Sequence, residues 1–190
     1  MTGTRPEPSG AEKMFGDFAQ RADARGAQPG HRRGPDRQRQ HRAARLPQLT
    51  RRSDTVEFIP LADTVRAPAE RFTGAVHLTM LKTPSPPSRL VASLVRFTPG
   101  ARTHWHSHAV GQTLHVTEGA GLVVNRDGQV IRMRAGDTVW TPPGEEHWHG
   151  GTTTTCLSHI AMLEAPEQGG DGTTWLEPVT DEQYAAAHRG

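Results

Sequence analysis

At 190 residues the chain has room for one domain with its own core and falls short of two. Only 34% of it is hydrophobic, low enough to imply that part of the length does not fold, and its one cysteine, Cys156, excludes an intrachain disulfide and any need for an oxidising compartment. The net charge of +2 hides a split: residues 1–53 carry twelve Lys and Arg against five acids, a net +7, and the remainder carries ten against fifteen, a net −5.

Residues 1–53 are rich in Arg, Gln, Gly, Pro and Ala, and from Gly30 to Arg45 only Pro35 is apolar and larger than alanine. No helical or strand period survives there, and too little apolar surface is present to offset the ordering entropy. The expectation is a disordered basic tail over 1–53 and a folded domain over 54–190. A basic tail can meet phosphates, but this one has only Phe15 and Phe18 to stack on bases and no helix-turn-helix pattern, so nucleic acid is not an expected partner. No apolar run approaches the length of a membrane span and no signal-type stretch follows the N-terminus, so the expectation is a cytoplasmic protein with no membrane partner.

Within the domain, residues 56–60 read as a first short strand. Residues 74–81 alternate, with Val76, Leu78 and Met80 on one face, and Met80, Met133 and Met162 read as core. A Pro/Ser loop over 83–88 precedes a longer strand over 90–97, and Pro99-Gly100 marks a turn. Gln112, Leu114 and Val116 share one face of the next strand, which puts an amide on the apolar side. Residues 122–124 and 130–133 flank Asn125-Arg126-Asp127-Gly128, a hairpin signal. Strands are expected over 136–141, 154–163 and 175–179. Thr180-Asp181-Glu182-Gln183 reads as a capping box opening a helix through Ala187. Many short strands separated by turn residues predict an all-β barrel or sandwich.

Two stretches carry chemistry. The first runs Gly100, five residues, His106, one residue, His108, three residues, Gln112, six residues, Gly119. On a strand His106 and His108 face the same side, so both imidazoles can reach one point, and a metal there would partner the buried amide of Gln112. The second runs Gly136, five residues, Pro142, one residue, Gly144, two residues, His147. His149 lies two beyond His147 and faces the same side. His159 is set mid-strand with Leu157, Ala161 and Leu163. Trp105, Trp140 and Trp148 are candidates to wall an apolar pocket, and His104 and His115 alternate outward, away from the ligand face.

Together the stretches resemble the paired motifs of the cupin family, whose fold is a double-sheet jelly roll. That resemblance implies His106, His108 and His147 as ligands of one divalent metal, with Gln112 standing where the typical member has glutamate. Three neutral imidazoles and an amide leave the ion its full +2, a stronger Lewis acid with room for an anion. The PGART, WHSH, GQT, GD, PGE, HWHG and TDEQY stretches between Pro99 and Tyr184 are similar, within the cupins, to the bacterial manganese-dependent hydroxynitrile lyases and their single-domain relatives. This implies manganese first, with iron, nickel, cobalt or zinc as alternatives. It implies His159 as catalytic base, Thr103 and His149 holding a small-molecule substrate, and a homo-oligomer. The rival readings are a dioxygenase acting on an enol or phenol, and a non-enzymatic cupin that binds a small molecule.

Overall fold

The computed structural model describes residues 56–189; the basic tail expected over 1–53 and the start of the domain at Asp54 lie outside the described residues. Along these residues run β1 (Val65–Arg66), β2 (Phe72–Thr73), β3 (Val76–Lys82), β4 (Leu90–Phe97), β5 (Arg102–Thr103), β6 (His106–His108), β7 (Gln112–Asn125), β8 (Val130–Arg134), β9 (Thr138–Thr141), β10 (His147–Gly151), β11 (Leu157–Glu164), β12 (Thr173–Trp175) and α1 (Asp181–Arg189). Every pairing is antiparallel. One sheet runs β1-β3-β4-β11-β7-β9 and the other β2-β5-β10-β7-β8, with β6 bridging β10 and β12. The result is the jelly-roll barrel expected from the alternating short strands.

β7 belongs to both sheets, and glycine lets it do so. Gly119 has a φ of 76°, and a Cβ there would collide with the carbonyl oxygen of Cys156 on the neighbouring chain segment. A register shift between Ser158 and His159 of β11 marks the same bend. What reads in sequence as two strands around residues 112 and 122 is one strand of 14 residues passing from sheet to sheet.

The alternation of β3, β4, β7 and β11 sends Val76, Val95, Phe97, Leu114, Val116, Val123 and Leu157 into the space between the sheets, where Met133 joins them. A second cluster covers the outer face of β10: Trp105, Leu122, Val124 and Trp148 pack against Val179, Tyr184 and Ala187 of the C-terminal segment. α1 begins as the sequence predicts. Gln183 N–H donates to Thr180 Oγ1 at 3.2 Å, and Thr180 N–H donates to Gln183 Oε1 at 2.9 Å. Tyr184 Oη donates to the Gly151 carbonyl at 2.8 Å, fixing the helix to the end of β10. Both faces of β10 are therefore buried, which holds its two histidines rigidly inside. None of the described helices is long and apolar enough to cross a membrane.

Several expectations differ from the structure. Residues 56–60 form no strand: Val56 and Phe58 are fully or nearly fully exposed, and an apolar alternation without a ladder partner makes no strand. The last strand lies at Thr173–Trp175, not 175–179, because its partner β6 is only three residues long. β9 starts at Thr138, since Gly136 is turned at a φ of 94°. β11 starts at Leu157, past an exposed Cys156. Met133 is core, whereas Met80 and Met162 are half-buried.

Candidate metal centre

The register of β6 and β10 sets His147 directly opposite His106. Side chains of such a cross-strand pair lie on one face, so the two rings meet inside the barrel with centroids 4.3 Å apart. His108 and His149, each two residues along its own strand, join the same face. The His106 centroid is 5.0 Å from that of His108 and 5.3 Å from that of His149. All four rings are buried, as are Gln112, Thr103 and His159. Ligand atoms of His106, His147 and His149 all lie within 4.8 Å of one another, a spacing at which three histidines can hold a metal ion.

Hydrogen bonds on the far side of the rings aim them. Nδ1 of His106 donates to the His104 carbonyl and Nδ1 of His147 to the Glu145 carbonyl, each at 2.9 Å. That leaves lone pairs on both Nε2 atoms. Gln112 Oε1 faces Nε2 of His147 at 3.3 Å. Two acceptors at that distance repel unless a cation lies between them or the amide turns its NH2 inward. Nε2 of His108 is buried with no hydrogen-bond partner. An unmatched imidazole nitrogen beside opposed acceptors, with no carboxylate among them, fits a borderline divalent cation with nitrogen and oxygen ligands.

Burial keeps the rings neutral. It pushes His108 down to about 3, helped by the charge that His147 would carry, and His159 down to about 3. His106 and His149 are lowered well below the usual histidine value by burial and then by neighbouring histidines, and His147 is lowered by burial. Neutral imidazole is the form that binds metal.

His149 links the metal face to the base suggested by sequence. Its Nδ1 is 3.2 Å from Nε2 of His159, whose ring enters from β11. Its backbone N–H donates to Thr103 Oγ1 at 3.1 Å, so Thr103 keeps its hydroxyl proton to donate elsewhere. Phe97 closes the far side, 5.6 Å from both rings by centroid.

The structure thus gathers His106, His108, Gln112, His147, His149, His159 and Thr103 into one buried cluster, in which the close group of three takes in His149 rather than His108. The tryptophans expected to wall it do not. Trp105 and Trp148 face the outer cluster with α1, and Trp140 is 56% exposed on edge strand β9. Trp175 takes that place, stacked on His106 at 4.8 Å and 26°. His104 is buried rather than outward: it lies two residues before His106, so a period of two puts it on the ligand side and not opposite it, and its backbone is tied at both ends, the carbonyl to His106 and the N–H to the Arg71 carbonyl. His115 does lie on the outer side, bonded to Thr138. Trp175 and Thr173 were missed as site residues. Their spacing of two was the available signal, since both side chains of such a pair face one side.

The result is a jelly roll whose convergent neutral histidines, on paired inner strands, could hold a metal ion. Residues 93–160 match the Cupin domain family model. The chain is 44% identical to the (R)-mandelonitrile lyase of Granulicella tundricola over 119 residues, covering 63% of this chain and 89% of that one. It is 35% identical to a cupin-like protein of Thermotoga maritima of known structure, at a TM-score of 0.61, covering 70% of this chain and 97% of that one. A shorter likeness, 34% over 61 residues, covers 32% of this chain and 17% of a gentisate 1,2-dioxygenase from Streptomyces. The chain belongs to the cupin family.

Proposed function

We propose that this cupin is a metal-dependent carbon–carbon lyase of the hydroxynitrile type, cleaving or forming cyanohydrins, with His106, His108, Gln112 and His147 as ligands. The observation that carries the reading is the buried His149–His159 pair at 3.2 Å, set beside His106 and His147 with no carboxylate in the group. The similarity to the Granulicella tundricola (R)-mandelonitrile lyase supports it. Manganese is proposed first, and iron, nickel, cobalt or zinc suit the same donors. When bound, the ion supplies Lewis acidity and stabilises developing negative charge.

His159 takes the hydroxyl proton of the cyanohydrin at Nε2, in the tautomer that accepts there from His149 Nδ1 at rest, the substrate hydroxyl replacing that 3.2 Å contact. The C–O bond becomes a carbonyl as the bond to the nitrile carbon breaks and its electrons leave with cyanide. The proton then passes from His159 to cyanide, releasing an aldehyde and hydrogen cyanide. Burial holds the resting His159 ring at about 3, so the ring is neutral at any working pH. Negative charge expelled into the same dry pocket favours the imidazolium during the reaction. Thr103 donates its free hydroxyl proton to the substrate oxygen, and His149 orients the substrate from the other side.

The test is cyanide release from mandelonitrile by metal-loaded protein, with chelator-treated protein as control. The partial likeness to a gentisate 1,2-dioxygenase favours a second reading, oxygenation of an enolic or phenolic small molecule. Oxygen uptake separates the two.

A further inference from the structure

The three histidines proposed as ligands are not aimed alike. Nδ1 of His106 and Nδ1 of His147 each meet a backbone carbonyl. A carbonyl only accepts, so both nitrogens carry the proton and both Nε2 atoms are lone pairs. His108 differs. Its Nδ1 meets a side chain, Thr173 Oγ1, at 3.1 Å. A hydroxyl donates or accepts, so the bond by itself leaves the tautomer open.

The other nitrogen decides it. Nε2 of His108 is buried without a hydrogen-bond partner. A proton there would have to share the Gln112 amide oxygen, which already faces Nε2 of His147 at 3.3 Å. The favoured tautomer carries the proton on Nδ1, donates it to Thr173 and leaves a bare lone pair on Nε2. Thr173 is itself held in place. β12 pairs with β6 so that Thr173 lies opposite His108. Its N–H donates to Asp171 Oδ1 at 3.0 Å, and the Gly172 carbonyl accepts from Ala109 N–H at 2.8 Å.

We propose that Thr173 is a positioning residue of the metal centre: its hydroxyl accepts the Nδ1 proton of His108 and so makes Nε2 a ligand. The inference rests on the reading of His106, His108 and His147 as ligands and deepens it. Unlike the carbonyls behind the other two rings, this support is removable by one substitution.

The experiment is calorimetric titration of chelator-treated full-length protein with Mn2+ or Zn2+, comparing wild type, Thr173→Val and Thr173→Ser. Valine keeps the shape and removes the acceptor. The expected result is binding about 10–100-fold weaker in Thr173→Val, with Thr173→Ser close to wild type. Equal affinities in all three overturn the inference, as does equal weakening in both variants, which would mean a steric role. A measurement on the wild type alone stands if the valine variant fails to fold. Imidazole 15N shifts of the metal-free protein should place the His108 proton on Nδ1, and a proton on Nε2 overturns the inference. Absence of metal binding by the wild type overturns the ligand reading itself, and the inference with it.

Discussion

Nε2 of His159 lies 3.2 Å from Nδ1 of His149, and both rings are buried. One of the two nitrogens carries the proton between them, so His159 is positioned by a partner on the metal face without belonging to the ligand group. Chemistry and metal binding are therefore separable by mutation. His159→Ala should retain its metal and lose about 10²–10⁴-fold in cyanide release, the usual contribution of a general base. His106→Ala should lose metal and activity together. Metal analysis of the purified variants checks both, and full activity in His159→Ala would remove it from the mechanism.

Gln112 faces His147 where an acid would cancel one unit of the ion's charge. Gln112→Glu should bind a divalent ion at least about tenfold more tightly, given a Coulomb attraction of about 4 kcal/mol at close range near a protein surface. The same change should slow cyanide release, because the more neutral centre stabilises an anion less well. Titration with Mn2+ and a rate assay on one preparation test the pair of effects. A variant both tighter and faster would contradict the role given to the missing charge.

The histidine pocket also sets a pH limit on stability. His108 and His159 are held at about 3 in the fold, against about 6.5 in the unfolded chain. Between these values the unfolded chain binds protons that the folded one does not, so stability falls as pH drops below about 6.5 and is level above it. Each histidine that stays neutral contributes a slope of about 1.4 kcal/mol per pH unit. Chelator-treated protein should melt alike at pH 8 and pH 7 and at clearly lower temperature at pH 5. An unchanged melting temperature at pH 5 would contradict the neutral pocket.

Gly119 is the backbone counterpart of these constraints. A Cβ there meets the Cys156 carbonyl in a conformation that side chains rarely adopt. Gly119→Ala should destabilise the barrel by about 3 kcal/mol or more. The urea midpoint measures it, and a midpoint equal to that of wild type would mean that β7 can bend without glycine.

Local spacing made the histidine cluster legible. His106 and His108, and again His147 and His149, are two apart on single strands, and a period of two fixes a shared face before any pairing is known. The capping box of Thr180 and Gln183 is equally local, and it formed as read. What local pattern does not encode is which strands meet. Trp175 reached His106 only because β12 pairs with β6 across a long stretch of chain. Trp140 alternates like a core residue but lies on an edge strand with solvent beside it. Val56 and Phe58 alternate too, yet nothing pairs with them among the described residues. Gly119 and Gly121 look like a break between strands, although their role is to let one strand cross between two sheets.

The most direct measurement follows cyanide and oxygen together in one sample of Mn-loaded wild-type protein with mandelonitrile, alongside a chelator-treated control. A metal-dependent carbon–carbon lyase gives cyanide and aldehyde in equal amounts, consumes no oxygen, and loses the activity with the metal. Oxygen uptake with an enolic or phenolic substrate, or no cyanide release from protein that holds its metal, would contradict the lyase account.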